Sequence, residues 1–302
     1  MTKSSSCAYR RISAVIGRLE RNPRLYEASS FIERMEALDV LELHLLDAPG
    51  PVSVATWTEA EQGRLMERAE ALKQKLVNAN ERLFEQLLHS IRSNDRAPVQ
   101  AFFKAARQQV SSSDDDALGY DALDMLVNGL LEIALTPGAP EARDGEMVFY
   151  QPTPARIILH LIDALRPTAE DIFYDLGSGL GHVPILVHLL TGITTRGVEL
   201  EDAYFRYANA CLDKLGLTAV KFVHADARAV DYADGTLFYL YTPFQGEMLR
   251  QVLRKLEAQA ERRSIKICTY GPCTLEVGRQ SWLQSIFQAG QHEVRLGIFA
   301  SS

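Results

Sequence analysis

The chain has 302 residues, 47% of them hydrophobic and 24% charged, a balance that excludes global disorder and allows a sizeable core in one large domain or two ordinary ones. Its net charge of −7, from 39 acidic and 32 basic side chains, argues against a whole-surface grip on nucleic acid, because phosphate binding needs a positive field. There is no signal-peptide pattern and no apolar run of membrane-spanning length, and Cys7, Cys211, Cys268 and Cys273 match neither a zinc spacing nor a disulfide framework, so a cytoplasmic, reduced protein without metal or membrane contact is expected.

The first part of the chain reads as helical throughout. Residues 8–21 put Ile12, Val15, Ile16 and Leu19 on one face of an amphipathic helix. Around it Lys3, Arg10, Arg11, Arg18, Arg21 and Arg24 are opposed by Glu20 alone, which reads as a solvated basic face. The pattern continues over 24–46 through Leu25, Phe31, Ile32, Met35, Leu38 and Leu41, until Ala48-Pro49-Gly50-Pro51 breaks it. Thr58 with Glu61 forms a capping box that opens a long helix. Leu65, Ala69, Leu72, Leu76, Ala79, Leu83 and Leu87 then recur at alternating steps of three and four, a stripe suited to a bundle core or, alternatively, to a homodimer seam. Helices over 97–110 and 119–134 flank Ser111–Asp116, a polar loop and N-cap run, and Pro137–Asp144 forms a boundary.

After residue 145 strands and helices alternate. A helix at 154–165 precedes strand 171–176. Helix 181–191, strand 195–200, helix 202–215 and strand 220–224 follow. Strand 235–241, helix 246–259, strand 264–270, helix 279–288 and strand 294–300 complete the order. The fold class is therefore α/β: a Rossmann-like, mainly parallel sheet with helices on both faces over 146–302, preceded by an all-α helical bundle over 1–145. In such sheets ligands bind outside the carboxyl ends of the strands, where strand order reverses.

The loop Asp175-Leu176-Gly177-Ser178-Gly179-Leu180-Gly181 follows the first strand. Its spacing is G-x-G-x-G, and His182 stands where a dinucleotide loop carries its third glycine. Asp175 would repel a pyrophosphate set on the helix N-terminus but would favour a cationic ligand, such as the ammonium of a methionine moiety. The second strand ends in Glu199, a carboxylate able to accept from a ribose diol, and the third runs into Asp226 and Ala227, an acid and a backbone N–H suited to adenine. Together these residues favour S-adenosylmethionine over a nicotinamide dinucleotide.

Residues 171–228 resemble the class I S-adenosylmethionine-dependent methyltransferases. Asp175 through Gly181 is similar to that family's first motif, Glu199 to its ribose acid and Asp226 to its adenine-side acid. The resemblance spans about 145–300 and implies a seven-strand sheet ending in a hairpin, of which six strands are read here. A narrower resemblance, to Dot1-type and related seven-strand protein lysine methyltransferases, rests on Tyr150-Gln151-Pro152-Thr153 ahead of the first motif and on the helical region before it. It implies that Tyr150 and Thr153 close over the methionine end of the cofactor. This chain departs from that group in carrying His182 after the last motif glycine, where glutamine is common.

Methyl transfer from a sulfonium is an in-line displacement that the protein serves mainly by alignment. The fourth strand ends in Tyr241-Thr242-Pro243-Phe244, the expected acceptor wall. No Asp, Glu or His stands in that stretch, so an amine acceptor is favoured, including a protein lysine. The alternatives are a small-molecule N- or O-methyltransferase with the helices as a lid, and a silent cofactor-binding module.

Overall fold

The computed structural model describes residues 3–42, 58–109, 120–132, 150–289 and 296–302. The breaks expected at Ala48–Pro51, Ser111–Asp116 and Pro137–Asp144, and the division at 145, lie outside the described residues. The chain forms two compact units, one of residues 1–87 and 102–110, the other of residues 88–101 and 111–302.

The first unit is helical. Helix α1 (Lys3–Glu20) is joined to α3 (Glu59–Arg92) by Arg68, whose guanidinium lies 2.7 Å from the Glu20 carboxylate and 3.2 Å from Ser13 Oγ. The helix predicted over 24–46 is not continuous. Two short 3-10 turns, Pro23–Tyr26 and Ala28–Ser30, precede α2 (Phe31–Leu41). The cause lies in side chains that compete for the backbone. Asn22 accepts from Arg24 N–H at 3.2 Å, while Arg34 Nη1 donates to the carbonyls of Leu25 (2.7 Å) and Glu27 (2.9 Å). Arg34 is fully buried and also donates from Nε to Asn80 Oδ1 on α3 at 2.6 Å. The capping box that opens α3 forms as read: Thr58 N–H donates to Glu61 Oε2 at 3.0 Å and Glu61 N–H to Thr58 Oγ1 at 3.2 Å. The stripe from Leu65 to Leu87 is buried within this chain. Helix α4 (Ala97–Gln109) contributes residues to both units.

The second unit is built on a seven-stranded sheet: β1 (Ile172–Leu176), β2 (Thr194–Glu199), β3 (Val220–His224), β4 (Leu237–Leu240), β5 (Lys266–Tyr270), β6 (Leu283–Ala289) and β7 (Leu296–Ser301). The strand order is β3-β2-β1-β4-β5-β7-β6. The first five are parallel, whereas β7 runs antiparallel to both β5 and β6. Side chains alternate across the sheet. Tyr174 and Leu176 of β1 and Phe238 and Leu240 of β4 share one buried cluster with Val252, Leu253 and Leu256 of α9 (Gly246–Ala260). Phe173 and Asp175 therefore point to the opposite face, where α6 (Ala155–Leu165) and α7 (His182–Thr191) pack. Helix α5 (Ala122–Leu130) packs on α6, and α8 (Asp202–Leu215) on β2 and β3.

One predicted element is wrong. Residues 279–288 are not a helix; the short helix α10 (Cys273–Val277) comes earlier, and β6 occupies most of that span. It is the seventh strand that the sequence reading lacks, and it closes the sheet in a terminal hairpin. A register shift between Ser285 and Phe287 interrupts the inward–outward alternation, and the strand stands at the sheet edge with mostly exposed side chains. Both features remove the period-two signal by which a strand is recognised.

The order of strands reverses between β1 and β4: from β1 the chain moves outward to β2 and β3, then returns to β4 on the other side. The carboxyl ends of β1 to β4 consequently surround a crevice at that point.

Candidate active site

The crevice is a cleft of about 910 Å3 including its open mouth. It is lined by Asp175, Gly177 and Ser178 from the end of β1, Glu199 from β2, Asp226 and Ala227 after β3, and Tyr241, Thr242, Pro243 and Phe244 after β4. Tyr150, Thr153 and His182 line it from the segment before α6 and from the start of α7. Every predicted site residue is thus brought to one cleft except Gly179 and Gly181, which support it from behind.

The three loop glycines all have positive φ, between 52° and 89°, where a side chain on an L-residue is strained. Close approach adds a second constraint. A Cβ on Gly177 would stand 2.4 Å from Pro243 Cβ, one on Gly179 2.0 Å from the Tyr150 ring, and one on Gly181 2.5 Å from the Phe222 ring. The loop is consequently pressed between the β4 end on one side and Tyr150 on another. Glu199 fastens it to β2, accepting Gly179 N–H at 2.7 Å and Glu201 N–H at 2.8 Å.

Among the described residues, four carboxylates (Asp175, Glu199, Glu201 and Asp226) line the cleft, and no Lys or Arg does. Burial pushes the carboxyl of Asp175 well above its ordinary range, and the neighbouring Glu199 adds to the shift. Burial also raises Glu199, against the backbone N–H groups that it accepts. Asp226 differs: the Arg228 guanidinium, 2.6 Å away, holds it below the ordinary carboxylate range. Two buried acids without a cation among the lining residues make a poor anion site and a good site for a cationic ligand.

Tyr150 lies at the opposite wall. Its ring faces that of Tyr204 with centroids 5.0 Å apart. Its hydroxyl accepts from Leu180 N–H and stands 3.2 Å from His182 Nδ1. Burial lowers His182 to about 4, so the ring is neutral at physiological pH. Its Nε2 lies 3.0 Å from Asn128 Oδ1 on α5. Thr153 Oγ1 is 3.0 Å from the hydroxyl of the fully buried Tyr239. Asp124 of α5 accepts Ala155 N–H at 2.7 Å, just beyond Thr153, and burial raises this carboxyl to about 6.

Near β4 the lining residue Tyr241 is backed by the buried Tyr270, with ring centroids 4.8 Å apart, and donates to Gln151 Oε1 at 3.2 Å. Tyr120, more than half exposed, donates to the Pro152 carbonyl at 3.0 Å. Thr242 has φ of +39°, rare for a β-branched residue. Its hydroxyl donates to the Tyr270 carbonyl and accepts Cys273 N–H, both at 3.1 Å. Asn128, Gln151, Tyr204, Tyr120 and Tyr270 were not singled out from the sequence. Only Gln151 stood inside a quoted motif; the others lie 20 or more residues from the nearest motif or, for Tyr204 and Tyr270, inside ordinary helix and strand patterns.

Among the described residues there is no group of three or more metal-ligating side chains, and no helix is long and apolar enough to cross a membrane. Cys211, Cys268 and Cys273 are buried free thiols.

Residues 145–235 match the family model described as "Histone methylation protein DOT1". A protein-lysine N-methyltransferase from Saccharolobus islandicus (strain REY15A) is 29% identical over 109 residues, which cover 35% of this chain and 68% of that protein. Among solved structures, an RNA methyltransferase from Salinibacter ruber in complex with S-adenosyl-L-homocysteine is 20% identical with a TM-score of 0.41, covering 50% of this chain and 92% of that one. The human methyltransferase 10 domain containing protein is 15% identical with a TM-score of 0.39, covering 54% and 89%. Likenesses of that size carry no part of the assignment, which rests on the loop, the sheet and the family match. The cleft also fits the cofactor: its buried acids suit a cationic ligand, and a side chain on Gly177 or Gly179 would collide with the lining residues Pro243 and Tyr150. With an aspartate before G-x-G-x-G at the point where strand order reverses and a family match over residues 145–235, the chain is an S-adenosylmethionine-dependent methyltransferase whose seven-strand sheet, closed by an antiparallel hairpin, resembles that of the class I enzymes.

Proposed function

We propose that the enzyme transfers its methyl group to an amine, the side chain of a protein lysine. The observation that carries this reading is the chemistry of the cleft near β4: the Tyr241 ring, backed by Tyr270 and bonded to Gln151, and no carboxylate or imidazole between Tyr241 and Phe244. A hydroxyl acceptor would need a base there; a neutral amine needs none. Aromatic faces attract a lysine ammonium and an apolar wall favours its loss of a proton. The Dot1-type match and the name of the Saccharolobus relative support the same substrate class.

In this reading the bound cofactor supplies a methyl group already activated on a sulfonium. Asp175 pairs with its ammonium, Glu199 accepts from the ribose, and Asp226 with Ala227 N–H meets the adenine. Gly177, Gly179 and Gly181 keep the loop low enough for that approach, His182 borders it, and Tyr150 and Thr153 close the methionine end. Tyr241, Thr242, Pro243 and Phe244 form the acceptor wall, with carbonyls as acceptors for amine hydrogens. Residues 146–302 are the methyl-transferring domain. The helical residues 1–145 precede it, with α5 packed on α6. Free buried thiols agree with a reducing cytoplasm.

The test is transfer of labelled methyl from S-adenosylmethionine to a protein fraction and to a metabolite pool, followed by hydrolysis and analysis for methyl-lysine. Label recovered as methyl-lysine is the expected result. Label confined to metabolites would instead identify a small-molecule methyltransferase. Cofactor binding with neither pool labelled would favour a silent module.

A further inference from the structure

We propose that Asn128 and His182 are positioning residues that hold Tyr150 in place over the cofactor loop. The inference rests on the reading that Tyr150 contacts the cofactor. It is carried by an unbroken chain of three side chains from three separate segments: Asn128 on α5, His182 at the start of α7, and Tyr150 before α6.

The hydrogen-bond roles in that chain follow from the atoms that face one another. His182 is buried and neutral, so one ring nitrogen donates and the other accepts. Asn128 Oδ1, 3.0 Å from Nε2, is an acceptor, so the proton sits on Nε2. Nδ1 is then an acceptor, and at 3.2 Å it takes the Tyr150 O–H. The same phenol oxygen already accepts Leu180 N–H, which leaves its proton free for Nδ1. Asn128 thus sets the tautomer, the tautomer sets which way the phenol donates, and the phenol fixes a ring that overlies Gly179.

Position matters because that ring has almost no tolerance. A Cβ on Gly179 would lie 2.0 Å from it, so the ring sits directly against the loop that the cofactor must also approach. Asp124, one helical turn before Asn128, holds the other end of the same segment through Ala155 N–H at 2.7 Å. Helix α5 therefore grips the segment 150–155 at both ends, once directly and once through His182. A histidine is suited to this relay because it offers one donor and one acceptor on opposite sides of a rigid ring. Glutamine has the same pair on one flexible amide, so His182→Gln is the conservative variant.

Calorimetry and NMR test the relay in the full chain. Calorimetry with S-adenosylmethionine is expected to give a Kd raised about 5- to 10-fold by Asn128→Leu, by His182→Leu and by Tyr150→Phe, the size of one lost hydrogen bond. The double variant Asn128→Leu/Tyr150→Phe is expected to be no worse than Tyr150→Phe alone, because Asn128 acts through that hydroxyl. His182→Gln is expected to recover most of the loss. The 15N shifts of the His182 ring in the cofactor-free protein should report an Nε2–H tautomer, and Asn128→Leu should move the Nε2 resonance as its hydrogen bond is lost, a readout that mere destabilisation does not produce. The proposal is overturned if Asn128→Leu leaves Kd within twofold, if its effect adds fully to that of Tyr150→Phe, or if the ring is protonated on Nδ1. If Tyr150→Phe is silent while Asp175→Ala abolishes binding, the reading of Tyr150 itself has failed; if Tyr150→Phe weakens binding and Asn128→Leu does not, the relay alone has failed.

Discussion

The two halves of the cleft are built by different means. On the cofactor side, the backbone does most of the shaping: three glycines at positive φ, a carboxylate that ties the loop to β2, and two buried acids. On the side proposed to receive the acceptor, shape comes from bulky side chains drawn from distant segments, with Gln151 meeting Tyr241 and Tyr241 meeting Tyr270. A backbone-shaped site constrains residue types at fixed spacing, because glycine and a strand-ending acid have few substitutes there. A side-chain-shaped site leaves many solutions open. In the proposed reading the first half specifies the cofactor, and the second can change acceptor without disturbing the fold.

The largest expected effect comes from removing the charge that defines the cofactor half. Asp175→Ala is expected to weaken S-adenosylmethionine binding about 100-fold or more, since deleting one partner of a buried ion pair costs about 3–5 kcal/mol. The pH dependence follows from the same group. Its carboxyl lies well above the ordinary range in the cofactor-free protein, so it is protonated there at pH values where an exposed aspartate is charged. This favours the protonated fold: the contribution to stability is greatest at low pH and is lost as pH rises from the unfolded pKa through the folded one. Pairing with an ammonium requires the charged form. Affinity should accordingly rise with pH over that interval, with release of protons on binding, measured by calorimetry in buffers of different ionisation enthalpy. An affinity flat in pH, with no proton released, would break the assignment of the cation site.

The next effect falls where the halves meet. Gly177 belongs to the cofactor loop, yet a Cβ there would stand 2.4 Å from Pro243 Cβ at a φ of +86°. Gly177→Ala is expected to cost about 1–3 kcal/mol of stability through strain, read by denaturant unfolding. It should impair cofactor affinity and acceptor turnover together. Recovery of turnover by Gly177→Ala/Pro243→Gly, with cofactor affinity still reduced, would show that the collision carries the coupling. If Gly177→Ala moves one parameter only, the two halves are independent.

The same contrast explains what the sequence could disclose. Asp175, the glycines and Glu199 were legible because their chemistry depends on local spacing along β1, α7 and β2. The capping box at Thr58 and the stripe on α3 were legible for the same reason, being contacts within one helix. Asn128 was not: its partner His182 is 54 positions away, and nothing at 119–134 distinguishes a functional asparagine from a solvated one. The break in the helix predicted over 24–46 was hidden because Arg34, a good helix former, takes the carbonyls of Leu25 and Glu27 only once it is buried. Strand β6 was hidden because its bulge and edge position erase alternation, leaving Leu283, Phe287 and their polar neighbours at helix-like spacing.

The smallest effect should be confined to the acceptor half. Thr242 sits at a φ of +39° that its β-branched side chain disfavours. Its hydroxyl is held at 3.1 Å between the Tyr270 carbonyl and Cys273 N–H, at the foot of the Tyr241–Tyr270 pair. Thr242→Val keeps the shape but removes the acceptor of Cys273 N–H and leaves the Tyr270 carbonyl with the weaker Cys273 thiol, at about 1–2 kcal/mol. The aromatic pair should then lose its fixed spacing. The expected outcome is a severalfold rise in acceptor KM, with S-adenosylmethionine Kd unchanged within twofold and Thr242→Ser close to the parent. A cofactor Kd that moves as far as the acceptor KM would mean that the β4 turn serves the whole cleft, and the division between its halves would have to be given up.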